Sequence, residues 1–166
     1  DRLMPSVPVY DNPAKELALS LQGKLIAVYG GGILSGVARR WKTQFNENAK
    51  SWALLELFPE AGHNAIAGIK WPSSVSQNSY GIILDSHILH DGMRIRYEVV
   101  RELLNDVQAH CQVVHGMGTG VLSQMLSIVL FGDYVSYYLA IINGENPAPV
   151  PQLDYLKTKL HDLHGN

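Results

Sequence analysis

The sequence predicts an α/β fold in which helices cover both faces of a parallel sheet. Short apolar runs rich in strand-forming residues alternate with segments whose apolar residues recur every three or four positions. A glycine-rich turn follows two of these short runs, as is common where a parallel strand leads into a helix. Together these observations indicate a doubly wound three-layer sandwich.

The first half of the chain supplies two predicted strands. A short helix is expected from Pro13 to Leu21, followed by a buried strand over "KLIAVY", residues 24–29. A helix with one apolar face follows the glycines at 30–32, and a second strand is expected over residues 52–58. The apolar face of that helix consists of Leu34, Val37, Ala38, Trp41 and Phe45.

The second half continues the alternation. A third strand is expected at 80–84, a fourth at 112–115, and a long helix from the turn at 116–120 to about Ile142. Residues 1–12 are proline-rich and are expected to form an extended linker, so that 13–166 form one domain. The helix between the third and fourth strands is marked by Ile95, Val99, Leu103 and Val107, and a closing helix by Leu153, Leu156, Leu160 and Leu163.

The composition excludes several classes of protein. At 166 residues the chain is long enough for one domain with a substantial core. Its formal net charge of -2 argues against a nucleic-acid partner, because no basic excess is present to neutralise phosphates. A single cysteine, Cys111, excludes an internal disulfide and fits a reducing, cytoplasmic compartment, where it is expected to be buried and unreactive.

The most hydrophobic stretch, Val121 to Ile142, is about as long as a membrane span. Gln124, Gly132 and Asp133 interrupt it, so we expect a deeply buried helix at a subunit contact and no membrane association.

"ELFPEAGHNAIAG", residues 56–68, places polar side chains directly after the second predicted strand. Ligands in such folds bind beyond the carboxyl ends of the strands. A partly desolvated carboxylate there, Glu60, is suited to act as a general base, with His63 and Asn64 as proton donor or orienting groups. The alternative is that Glu60 or His63 only caps the next helix.

The two glycine-rich turns, "YGGGILSG" and "VHGMGTGVLS", could surround a phosphate with backbone N–H groups. The glycines could equally serve only to let the chain turn. The candidate phosphate ligands are Gly31 and the hydroxyls of Ser35, Thr119 and Ser123. A dinucleotide site is disfavoured, because Ser35 and Val121 stand where its fingerprint requires glycine. Without that fingerprint, Glu56 is weak evidence for a ribose-binding acid.

Histidines and lysines elsewhere are less informative. His87 and His90 lie in a loop ahead of a helix and are expected at the surface, with one of them a candidate for the active site. No ligand spacing predicts a metal. Lys157 and Lys159 are expected on a solvated helix face.

Five segments together resemble the C-terminal half of bifunctional phosphoglucose/phosphomannose isomerases, in the same order and over nearly the whole chain. These segments are "NPAKELALSLQGKLIAVYGGG", "VARRWKTQFNENAK", "LFPEAGHNAIAG", "FGDYVSYYLA" and "NPAPVPQLDYLKTKL".

The resemblance implies a sugar isomerase (SIS) fold with a five-stranded parallel sheet, paired with an N-terminal SIS domain in a chain that forms homodimers. It implies interconversion of glucose or mannose 6-phosphate with fructose 6-phosphate through a cis-enediol, without metal or cofactor. Matching the family pattern "PExxHN" assigns the base to Glu60, and matching "LKxxL" assigns contact with the substrate oxygens to Lys157. A histidine of the neighbouring subunit opens the sugar ring in the family, and His63, His87 and His90 are equal candidates for that role.

Two departures from the family pattern matter. Ala65 stands where the family commonly has a glutamate, which leaves open a non-catalytic module that only senses sugar phosphates. The main phosphate-binding loops of the family belong to the N-terminal domain, so this chain alone is expected to show little or no activity. A nucleotide-binding α/β domain is the weakest alternative.

Overall fold

The computed structural model describes residues 1–164, which form alternating strands and helices in the predicted order. The elements are α1 (Pro13–Leu21), β1 (Leu25–Gly31), α2 (Ser35–Glu47), β2 (Ala53–Phe58), α3 (Asn64–Gly68), α4 (Ser73–Gln77), β3 (Ser79–Asp85), α5 (Asp91–Asp106), β4 (His110–His115), α6 (Val121–Ile142) and α7 (Pro151–His164). Short 3₁₀ turns precede α1, α2 and α3.

The sheet is parallel throughout, with the strand order β2-β1-β3-β4. The direction of winding reverses between β1 and β3, which places the expected ligand crevice at the carboxyl ends of these two strands. The expectation of five strands is wrong for the described residues, which form four. After α6 the chain runs through "NGENPAPVPQ", whose prolines and polar residues do not form a strand.

Helices α1, α2 and α6 pack together in one layer. The predicted apolar face of α2 is confirmed, since Val37, Ala38, Trp41 and Phe45 are all buried. The Trp41 indole donates a hydrogen bond to the Ile128 carbonyl at 3.0 Å and so ties α2 to α6.

Helix α5 lies on the opposite layer, as right-handed crossovers require. Its buried residues are Tyr97, Val100 and Leu104. The helix that Ile95, Val99, Leu103 and Val107 predict is present, but these residues do not form its buried side: Ile95 and Val99 are exposed, and Leu103 and Val107 are half-buried. The spacing of three and four was correct, but the stripe that packs on the sheet lies one or two positions further along the chain.

Helices α6 and α7 are more exposed than the sequence predicts. Helix α6 is long and apolar enough, by length and composition alone, to span a membrane, and it is the only such helix among residues 1–164. One side of it is buried against α1 and α2, whereas the other side is open to solvent. Every residue of α7 is exposed, including its four leucines.

The first twelve residues lie against the domain. The Lys15 ammonium donates to the carbonyls of Pro5 and Val7, both at 2.7 Å. The Tyr138 hydroxyl donates to the Leu3 carbonyl, and buried Asn12 caps α1 by accepting from the backbone of Ala14 at 3.1 Å.

Candidate active site

The carboxyl ends of the four strands meet at one edge of the sheet. These ends are Gly31, Phe58, Asp85 and His115. The sequence-predicted residues Glu60, His63, His87 and His90 follow directly from this edge, so the fold brings the loops that carry them to the same side of the molecule.

Glu60 begins the 3₁₀ turn after β2 and its side chain is exposed. Its one side-chain hydrogen bond among the described residues comes from the Asn64 amide, at the long distance of 3.5 Å. The expected pairing of Glu60 with Asn64 is thus present. The partial desolvation that a general base needs is not provided by residues 1–164.

His63 is exposed on the far side of the same turn. It lines a cavity of about 340 Å³ together with Ile66 of α3 and Ile95, Arg96 and Val99 of α5. The exposed apolar residues of α5 therefore face His63, and the Arg96 guanidinium brings positive charge to that cavity.

The turn after β1 is closely packed. A Cβ on Gly31 would lie 3.0 Å from the Met93 sulfur, and a Cβ on Gly32, whose φ is +54°, would lie 3.1 Å from Leu89. The loop after β3 and the start of α5 thus cover the crevice between β1 and β3. Ser35 is half-buried in the first turn of α2.

Side chains of α6 satisfy the backbone hydrogen bonds of the turn that precedes this helix. The Ser123 hydroxyl accepts from the Gly120 N–H at 3.1 Å, and the Ser127 hydroxyl accepts from the Met117 N–H at 2.8 Å. The Gln124 amide donates to the Gly118 carbonyl. Thr119 is exposed at the tip of this turn, with no side-chain hydrogen bond among the described residues.

The two loop histidines differ in their surroundings. His90 is the N-cap of α5, and its Nδ1 accepts from the Gly92 N–H at 3.0 Å. His87 is exposed and makes no hydrogen bond within residues 1–164.

His115, which the sequence did not single out, has a carboxylate partner. Its Nδ1 lies 3.1 Å from Oδ2 of Asp85, and Nε of Arg94 lies 3.8 Å from the same oxygen. Asp85 is buried, and its Oδ1 has no hydrogen-bond partner among the described residues. The three residues line a cavity of about 350 Å³. The available sequence signal was the position of Asp85 and His115 at the ends of two strands.

Glu56 faces a separate cavity of about 290 Å³ beneath α3. The cavity is also lined by Tyr29 and by Ala65, the residue that departs from the family pattern. Burial raises the pKa of Glu56 above that of an ordinary glutamate. Burial, followed by the nearby charge of Glu56, also raises the pKa of Tyr29.

A cleft of about 460 Å³ lies at the opposite, amino edge of the sheet. Glu47 at the end of α2 lines it, together with Lys42, Lys50 and Trp52. Lys50, whose φ is +51°, donates to the Asn146 carbonyl at 2.7 Å and so holds the connector to α7 beside the cleft.

The same cleft is lined by the first residues of α7, Gln152 and Leu153. Lys157 lies five residues beyond Gln152, about 7.5 Å along the helix axis. Glu60 is at the other end of β2, a strand of six residues that spans about 20 Å. Within one chain, Lys157 is therefore on the side of Glu47 and not on the side of Glu60. The sequence signal for Glu47 was its place in "FNENAK", an acid flanked by amides at the end of an amphipathic helix.

Residues 1–164 contain no group of three or more histidine, cysteine, aspartate or glutamate side chains placed to hold a metal ion. Cys111 is half-buried on β4, and burial raises the pKa of its thiol to about 11.

Comparison with known proteins connects this geometry to one family. Residues 10–160 match the family model described as the bacterial phospho-glucose isomerase C-terminal SIS domain. The bifunctional phosphoglucose/phosphomannose isomerase of Caldicellulosiruptor bescii is 35% identical over 164 residues, which cover 98% of this chain and 48% of that protein. The protein of the same name from Aquifex aeolicus is 31% identical over 88% of this chain and 45% of its own. The chain spans about half the length of these curated relatives.

Solved structures share the fold. A glucose-6-phosphate isomerase-like protein from Thermus thermophilus superposes with a TM-score of 0.74 at 24% identity, over 90% of this chain and 50% of that one. A glucosamine-6-phosphate deaminase from Thermotoga maritima superposes with a TM-score of 0.62 at 17% identity, over 81% of this chain and 41% of that one. At these identities the likeness concerns the fold alone.

Proposed function

The chain belongs to the family of bacterial phosphoglucose isomerase C-terminal SIS domains, and we propose that it is one half of an aldose–ketose isomerase. The substrates would be glucose 6-phosphate or mannose 6-phosphate on one side and fructose 6-phosphate on the other. The observation that carries the proposal is the match to bifunctional isomerases along 98% of the chain. The other half, an N-terminal SIS domain, would supply most of the phosphate contacts, and the enzyme would be a cytoplasmic homodimer.

The reaction requires proton transfer between two neighbouring carbons. A base removes the proton beside the carbonyl, a donor stabilises the enediolate oxygen, and the base returns the proton to the adjacent carbon. Carboxylate, imidazole and ammonium groups can do this without a cofactor. We therefore assign no cofactor and no metal to the reaction.

The sequence pattern assigns the base to Glu60, with Asn64 as its orienting partner, and leaves His63, His87 and His90 as candidates for the ring-opening group. Because Glu60 and His63 are exposed in this chain, the desolvated surroundings of a base would come from a neighbouring domain or subunit. The loops carrying Gly31, Ser35, Thr119, His87 and His90 would then contribute secondary contacts to the substrate.

Glu47 is a second candidate for the base, and its place in the cleft beside α7 supports it. If the base and Lys157 act within one chain, Glu47 is the better candidate, because it lies at the end of β2 where α7 begins. His63 would then reach a site on the neighbouring subunit, in keeping with a ring-opening histidine that crosses the dimer.

A non-catalytic module that senses sugar phosphates is the alternative function. Ala65 favours it, because the carboxylate that the family commonly carries at this position is absent and a cavity lies beside it.

Proton exchange distinguishes the two functions. The complete gene product would be incubated with each of the three hexose 6-phosphates in D₂O, and deuterium at C2 would be followed by NMR. The isomerase proposal predicts exchange and interconversion, with little or none from residues 1–166 alone. Binding of fructose 6-phosphate without exchange would support the sensing module instead.

A further inference from the structure

One side of α6 is an apolar surface that the rest of residues 1–164 leaves exposed. We call it the outer face and define it by five exposed side chains: Leu122, Leu126, Leu130, Tyr137 and Ile141. Their spacings of four and seven residues, about one and two helical turns, place them in one stripe along the helix. Leu122 is 67% exposed and Leu126 is 54% exposed, which is unusual for leucines on so apolar a helix.

The outer face carries no charge. The one charged residue of α6 is Asp133, and its carboxylate accepts from the Arg40 guanidinium at 3.1 Å and from the Gln44 amide at 2.7 Å. Both partners belong to α2, so this charge is directed toward the layer of helices and away from the outer face.

The outer face continues into a groove of about 540 Å³ between α6 and the edge strand β4. Its lining is largely apolar and includes Val113, Met117, Leu130 and Phe131. Residues 1–3 form one wall of the groove. Within residues 1–164, strand β4 pairs only with β3, so its other edge is open beside the groove.

We propose that the outer face of α6 and the adjoining groove form the docking surface for an N-terminal α/β domain of the same polypeptide. This inference rests on the proposed function, which assigns that domain to the same polypeptide. The relatives are about twice as long as this chain, and the matching family model is a C-terminal domain. A preceding domain would be connected through residue 1, which lies at the wall of the groove.

A membrane is a poorer occupant of this surface than a protein. The other side of α6 is fixed in the core, where Gln124 and Ser136 are buried and a Cβ on Gly132 would lie 2.3 Å from the Trp41 ring. The helix therefore cannot leave the domain to span a bilayer without exposing Trp41 and the rest of its layer.

Cysteine labelling tests the docking surface. In a Cys111→Ala background, Leu126→Cys reports on the outer face. Val75→Cys on α4 is the control, because Val75 is 42% exposed and lies away from α6. Each variant would be made in the complete gene product and in residues 1–166 alone, and labelled with a maleimide.

We expect the cysteine at 126 to react about tenfold or more slowly in the complete protein than in the shorter chain, and the control cysteine to react at similar rates in both. Equal rates at position 126 would overturn the proposal. Protection that appears in the shorter chain as its concentration rises would also overturn the proposal, because it would indicate docking of a second copy. Protection that requires vesicles of phosphatidylcholine and phosphatidylglycerol would overturn it in favour of a membrane. Isomerase activity without protection would reject the docking surface alone, and protection without activity would reject the proposed function alone.

Discussion

Asp85 and His115 are register partners at the last positions of β3 and β4, and their side chains meet at 3.1 Å. The carboxylate is buried, whereas the imidazole side chain is 68% exposed. The buried carboxylate thus has its partners on the solvent side, in His115 and more distantly in Arg94. This arrangement predicts that removing His115 lowers the stability of the fold more than neutralising Asp85 does.

We expect His115→Ala to destabilise the fold by about 1–3 kcal/mol, because it leaves the Asp85 carboxylate buried with Arg94 alone. Asp85→Asn should cost less, since it removes the buried charge itself. Urea unfolding would measure both, with His87→Ala as the control for loss of an exposed histidine. Equal costs for the His115 and His87 variants would show that the contact between His115 and Asp85 contributes nothing to stability.

The contact between α2 and α6 depends on a glycine. A Cβ on Gly132 would lie 2.3 Å from the Trp41 ring, whereas a Cβ on Gly36 of α2 would meet nothing within 4 Å. We expect Gly132→Ala to destabilise by about 1–3 kcal/mol through overpacking. Gly36→Ala should be neutral or stabilise by up to about 1 kcal/mol.

Thermal unfolding monitored by tryptophan fluorescence would compare the two glycine variants. If Gly132→Ala were as stable as Gly36→Ala, the close packing of α6 on Trp41 would be contradicted, and with it the fixed position of the outer face.

Glu56 makes stability depend on pH in a defined direction. Its pKa is raised by burial, so the folded state holds the proton more tightly than the unfolded state. The stabilisation from this group is complete below the ordinary glutamate pKa and is lost as the pH rises through the raised value. Glu56→Gln should therefore be more stable than the parent at neutral pH.

The advantage of Glu56→Gln should vanish below about pH 4, where both forms are neutral. Denaturant unfolding across this range would measure it, with exposed Glu102→Gln as the control. An advantage that does not change with pH would show that titration of Glu56 is not its source.

The sequence predicted the order and type of the strands and main helices, because buried strands and amphipathic helices carry strong periodic signals. It placed the apolar face of α2 correctly, since Trp41 and Phe45 are large and lie in one stripe. It also predicted α5 correctly as a helix, but Ile95 and Val99, which carry the helical spacing, line the cavity next to His63 instead of the core. Hydrophobicity alone does not distinguish a core contact from a half-open cavity.

The candidate site was less predictable, because it depends on which loops and helix ends converge in space. Glu60, His63 and Asn64 were predicted from their position after β2, and the structure keeps them adjacent, although their roles stay a prediction. Glu47 and His115 were missed, because the partners that distinguish them, Lys50 and Asp85, are set by the fold. No periodic pattern could have shown that α7 begins beside Glu47.

Substitution of the two acids at opposite ends of β2 decides which is the base. We expect Glu47→Gln to lower turnover of the complete enzyme by about 10²–10⁴-fold, because Glu47 shares its side of the sheet with Lys157. Glu60→Gln would show that loss instead if the base is supplied across a domain or subunit boundary, as the sequence pattern suggests. Glu102→Gln is the matched control, and circular dichroism would confirm that each variant folds.

Loss of C2 proton exchange with retained binding of fructose 6-phosphate identifies the base, because its removal affects the proton-transfer step and not the ground-state contacts. Turnover within a few-fold of the parent in both variants would mean that neither carboxylate transfers the proton, and the proposed isomerase mechanism would then lack a base from this chain.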